Sequence, residues 1–85
     1  MLDELPILEE LVLLNLTNNQ IEDIDVNALI DLDELKTLIL SHNRIRWIED
    51  DVFEWGPDEL RHIYLDHNRL ETIEEIVKKH DIEAR

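Results

Sequence analysis

Cysteine is absent from all 85 residues, which excludes a disulfide framework and any thiolate-built metal or redox centre. The redox compartment is therefore not legible from thiol usage. A single glycine and two prolines leave few chain breakers and no glycine-rich loop able to cradle a phosphate. Positive charge is scarce: 8 Lys and Arg stand against 22 Asp and Glu, for a formal net charge of -14. A field of that sign repels nucleic acid and anionic membrane, and neither is expected as a partner. There is no apolar run of about eighteen residues, and no basic stretch leads into an apolar one, so neither a transmembrane helix nor a signal peptide is read here. No nucleophile has a matched base, and the carboxylate pairs occur only as surface runs. The expectation is a non-enzymatic chain with no cofactor.

What the chain has is one pattern written three times. Leu11, Leu14, Leu16, Asn19 and Ile21 recur as Leu35, Leu38, Leu40, Asn43 and Ile45, and again as Leu60, Ile63, Leu65, Asn68 and Leu70. The first two copies are 24 residues apart and the next two 25. Each copy extends three residues further, to Ile24, Ile48 and Ile73. A fixed period of this length means stacked supersecondary units, each unable to bury its apolar face alone. Hydrophobic content of 44% suits a single folded domain near the size where a core is barely sufficient.

The unit L-x-x-L-x-L-x-x-N-x-L resembles that of leucine-rich repeat proteins, from about Leu5 to Ile76. It is closest to the longer repeat of about 24 residues, with a further apolar residue at Leu29 and Phe53; Lys78 stands at that place in the third copy, which ends the array. The resemblance implies an α/β solenoid: a short right-handed coil with a parallel three-stranded concave sheet, short helical or irregular convex segments and a C-terminal capping helix. The chain divides into an N-terminal cap at 1–10, repeats at 11–34, 35–59 and 60–73, and a helical cap at 74–85. Members with this repeat length are mostly extracellular and closed by disulfide-bonded caps. The lack of cysteine departs from that, so the compartment stays open.

The residues themselves give the same layout. Leu14-x-Leu16, Leu38-x-Leu40 and Ile63-x-Leu65 alternate with period two, as strands with one buried face do. Asn19, Asn43 and Asn68 follow the strands, where an amide can satisfy backbone donors and acceptors left without a sheet partner. Leu2, Leu5, Leu8 and Leu11 recur every three residues, as in a segment covering the first turn. Ile73, Ile76 and Val77 fall on one face of a helix through Glu74 to His80, with acids at its start and Lys78, Lys79 and His80 at its end. A short helical turn is expected at Asp31 to Leu35, and Gly56-Pro57 interrupts the next return segment.

The consensus positions point inward, so function belongs to the residues between them. Read in columns, these carry Lys36, Arg44, Arg61 and Arg69 with Asp66 as their one acid, while the acidic runs, such as Glu49-Asp50-Asp51, fall on the turns and the convex return. Lys36, Ile39, Arg44, Arg61, His62, Tyr64 and Arg69 therefore form a mildly basic, partly apolar candidate surface for a protein partner with acidic and apolar groups. The resemblance implies the same, since such repeats bind proteins on the concave face. Trp47 stands in a column that is not a core column; it either packs on Phe53 or Trp55 or is an exposed anchor. His42 and His67 are equivalent residues of adjacent repeats and can be metal ligands or titratable near neutrality. His-Asn is a common variant of the repeat, and no further Cys or His completes a set, so no metal is expected. Glu49-Asp50-Asp51 lacks the alternating acids and glycine of a calcium loop. Asn15-Leu16-Thr17 is a sequon. Two other readings stand beside partner binding: an engineered or excised minimal repeat scaffold with no ligand of its own, and a weak homodimer formed through the edge strand at Val12 to Leu16.

Overall fold

The computed structural model describes residues 10–71 and 74–85. The elements run β1 (Leu13–Asn15), α1 (Val26–Leu29), β2 (Thr37–Ile39), α2 (Asp50–Glu54), β3 (His62–Tyr64), α3 (Glu74–Lys79) and β4 (Glu83–Ala84). All four strands lie in one open parallel sheet in chain order. The register aligns equivalent repeat positions: Leu14 with Leu38, and Leu38 with Ile63. Each return segment carries the chain back across the convex side, which is how parallel neighbours must be joined.

The alternation does the folding. Leu38 and Ile63 are fully buried at the middle of their strands, while their neighbours Thr37, Ile39, His62 and Tyr64 turn outward. The core is centred on the second and third repeats: Leu35, Leu38, Leu40, Ile45, Ile48, Leu60, Ile63 and Leu65, closed from the convex side by Leu29, Leu32, Val52 and Phe53. Leu14, Leu16, Ile21 and Ile24 of the first repeat pack against it but are only partly buried. Burying one such side chain contributes roughly 1.5–3 kcal/mol, so among the described residues the second and third repeats contribute more apolar stabilisation than the first. Leu2, Leu5, Leu8 and Ile73 lie outside the described residues, as does the side chain of Ile76.

The first convex helix is at Val26–Leu29, ahead of the short turn expected at Asp31 to Leu35. Asp25 decides this, because its carboxylate accepts the Asn27 N–H at 2.9 Å and caps the helix there. Residues 31–35 form tight turns, with Leu32 N–H donating to the Leu29 carbonyl at 3.0 Å and Leu35 N–H to that of Leu32 at 3.1 Å. After α2 the chain passes Gly56, where a Cβ would stand 2.0 Å from the Val52 carbonyl oxygen. Only glycine allows that approach.

The sheet has one strand more than the three repeats supply. Helix α3 stops with Asp81 in the left-handed conformation at φ 54°, the Ile82 N–H donating to the Val77 carbonyl at 2.9 Å and the Asp81 N–H to that of Lys78 at 3.3 Å. This is a Schellman ending, with Ile82 and Val77 both packed on the core. It turns the chain so that β4 pairs with β3, Glu83 beside His62 and Ala84 beside Ile63. No alternation long enough to announce a strand exists there.

Candidate functional site

The sheet presents two rows of outward side chains. One runs Leu13, Thr37, His62, Glu83; the other runs Asn15, Ile39, Tyr64. Thr37, Ile39 and Tyr64 are half-buried among their neighbours and His62 is exposed. The fourth strand brings two charges the repeat pattern gave no hint of. Glu83 stands 3.5 Å from His62 Nδ1 and pairs with Arg85.

Lys36 and Arg61 occupy adjacent places at the start of β2 and β3, but in different settings. Lys36 lines a shallow cavity of about 400 Å³ with Val12, Asp33, Glu34 and Glu59. The Arg61 guanidinium turns back and donates to the carbonyls of Asp58 at 2.8 Å and Leu60 at 2.9 Å. Arg44 and Arg69 are exposed beyond the strands, each anchored by its N–H to the preceding repeat at Ile21 and Ile45. Arg69 meets Arg46, Trp47 and Glu71 around a groove of about 490 Å³. Trp47 is 53% exposed and Trp55 65%; among the described residues neither ring stacks on another aromatic.

The Asn column joins the repeats. Asn43 is buried; its Oδ1 accepts the N–H groups of Asn19 and Ile21 at 2.9 Å each, and its Nδ2 donates to the Leu16 and Leu40 carbonyls at 3.0 Å. Asn68 repeats this one unit on, accepting from Ile45 at 3.0 Å and donating to Leu40 at 2.8 Å and Leu65 at 3.1 Å. Asn19 is exposed, and its amide donates within its own turn to the Thr17 carbonyl. The Asn15 carboxamide of the sequon is engaged by the Thr17 hydroxyl at 2.6 Å.

Immediately before each Asn stands a residue in the left-handed region: Asn18 at φ 62°, His42 and His67 at 58°. This conformation is uncommon outside glycine but tolerated by Asn and His. The two turns are tied by the His42 N–H donating to the Asp66 carbonyl at 3.0 Å, and the imidazoles stack with centroids 4.1 Å apart and planes 9° from parallel. Asp66 lies beside them. Its Oδ1 accepts the Ser41 hydroxyl at 2.6 Å and its Oδ2 is 3.9 Å from His67 Nε2. The Ser41 hydrogen bond holds the Asp66 carboxyl below the usual carboxylate range, helped by the two imidazoles. Counting only Cys and His along the sequence misses this carboxylate; the column that precedes the His column was the available signal.

An open parallel sheet with helices and turns only behind it defines a one-sided solenoid. A family model described as leucine rich repeat matches residues 9–70, and the chain belongs to that family. Comparison with curated proteins and with solved structures gave no match. Leucine-rich repeat domains generally mediate protein–protein interaction and are typically non-catalytic.

Proposed function

We propose that this chain is a non-catalytic interaction module that binds a protein partner across its concave strand face. The observation that carries the reading is the register itself, which sets Ile39 beside Tyr64 and Thr37 beside His62 on an open sheet surface. A half-buried aromatic next to a β-branched aliphatic is the composition of an interface centre, and a polar rim is supplied by Lys36, Arg44, His62 and Arg69, the Arg61 guanidinium being engaged by its own turn. The chemistry fits a partner offering apolar groups to Ile39 and Tyr64 and carboxylates to the rim. Exposed Trp47, beside Arg69 in the neighbouring groove, extends the surface as an anchor. The test is affinity capture with the parent and an Ile39→Asp/Tyr64→Ala variant: a partner bound by the parent and lost by the variant supports the reading, and partners held equally by both refute it.

A second reading is favoured by the outer edge of β1, which pairs with no other strand among the described residues. Val12 and Leu13 are 47% and 49% exposed there, and an edge strand offers unpaired backbone groups to another copy. Light scattering over a concentration series separates the two, since only self-association raises the mass.

A further inference from the structure

We infer that His42, Asp66 and His67 form a binding site for one divalent transition-metal ion, Zn²⁺ being the probe that fits their chemistry. Each of the three offers a ligand atom, and these atoms lie within 4.8 Å of one another. Four-coordinate Zn²⁺ with bonds of ~2.0–2.2 Å separates its ligand atoms by roughly 3.3–3.5 Å, so closure needs a shift of about 1.5 Å at most. That shift is available at the side chains alone. All three residues are exposed, so either ring can turn about its Cβ–Cγ bond out of the parallel stack. Neither imidazole makes a side-chain hydrogen bond among the described residues that would oppose the turn.

The backbone holds the ligands ready. His42 and His67 share the same left-handed conformation one repeat apart, and the 3.0 Å hydrogen bond from His42 N–H to the Asp66 carbonyl fixes the two turns against each other. Ser41 Oγ, 2.6 Å from Asp66 Oδ1, fills the place of an outer-shell partner, leaving Oδ2 on the His67 side for the metal. Two nitrogens and one carboxylate oxygen are a donor set for Zn²⁺ and its neighbours in the transition series. Ca²⁺ and Mg²⁺ ask for oxygen ligands in larger number. A solvent molecule would complete the coordination on the exposed side. The first repeat carries Asn18 and Thr17 where the later ones carry His and Asp or Ser, so the site occurs once. An ion bound there joins the second and third repeats on the same side as the Asn column and stabilises the folded chain by mass action.

The experiment titrates the full 85-residue chain with ZnCl2, following the imidazole nitrogens by NMR and the melting temperature in parallel. The expected result is one equivalent bound, with His42 and His67 shifting and His62 and His80 not, a Tm that rises with Zn²⁺ and reverts with EDTA, and no rise with MgCl2. His42→Asn and His67→Asn place in each later repeat the residue that Asn18 already provides in the same conformation. Each should weaken Zn²⁺ binding by more than the ~10–100-fold that follows loss of an outer-shell partner. Equal shifts at His62, which has Glu83 beside it, would mean diffuse binding to an acidic surface and overturn the proposal. So would Zn²⁺ affinity that survives in the His42→Asn/His67→Asn double variant, or a parent chain whose imidazoles do not respond.

Discussion

Among the described residues Asn43 makes the largest set of side-chain hydrogen bonds to the backbone. Its amide answers five backbone groups drawn from two repeats, so replacing it strands buried and part-buried donors and acceptors. Asn43→Leu should lower stability by about 1–3 kcal/mol in a urea titration, whereas Asn19→Leu, at an exposed amide with one local hydrogen bond, should cost clearly less. Equal effects would show that burial of the amide is not what matters. Asp66 gives a second residue-scale test. Its folded pKa is depressed by the Ser41 hydroxyl, so the carboxylate's favourable contact is present at neutral pH and is lost as pH falls through that lowered value. Ser41→Ala should raise the Asp66 midpoint toward the ordinary carboxylate value in an NMR titration, and an unmoved midpoint would refute the assignment. The consensus leucines were legible because their spacing repeats. The fate of Arg61 was not, because whether a guanidinium reaches over a sheet or bonds its own turn, as here to Asp58 and Leu60, depends on local loop geometry that a column of charges does not contain.

At the level of elements, the strands follow from period-two alternation and α1 from its Asp25 cap, whereas α2 starts after Glu49 with no side-chain cap. A short helical turn is expected from the sequence at Asp31 to Leu35, where hydrogen-bonded turns stand, and the capped helix α1 precedes it at Val26–Leu29. Strand β4 was hidden because it is two residues long and depends on the Schellman turn at Asp81. That turn is testable. Asp81→Val puts a β-branched residue at φ 54° and should cost about 1–2 kcal/mol, while Asp81→Gly should be neutral or stabilising. The same urea midpoint for both variants would contradict a left-handed residue at this place. The pairing of β4 also brings Glu83 to His62, which alters the electrostatics of a face the three repeats alone would leave more basic.

For the molecule as a whole, the acidity is segregated. The net charge of -14 is concentrated on turns and the convex return, while the open sheet holds an aliphatic and aromatic centre. Stacking explains both, since the consensus residues are consumed by contacts between repeats and what lies between them is left on the surface. Binding energy should therefore concentrate at Ile39 and Tyr64, and rim charges such as Arg44 and Arg69 should act chiefly on association rate and its salt dependence. The most direct measurement is the dissociation constant of a captured partner for Tyr64→Ala set against Asp51→Ala, one residue on the sheet face and one on convex helix α2. A rise of tenfold or more for Tyr64→Ala, on the order of 1.4 kcal/mol, with Asp51→Ala unchanged, is the predicted result; a loss confined to Asp51→Ala would contradict the concave face as the binding surface.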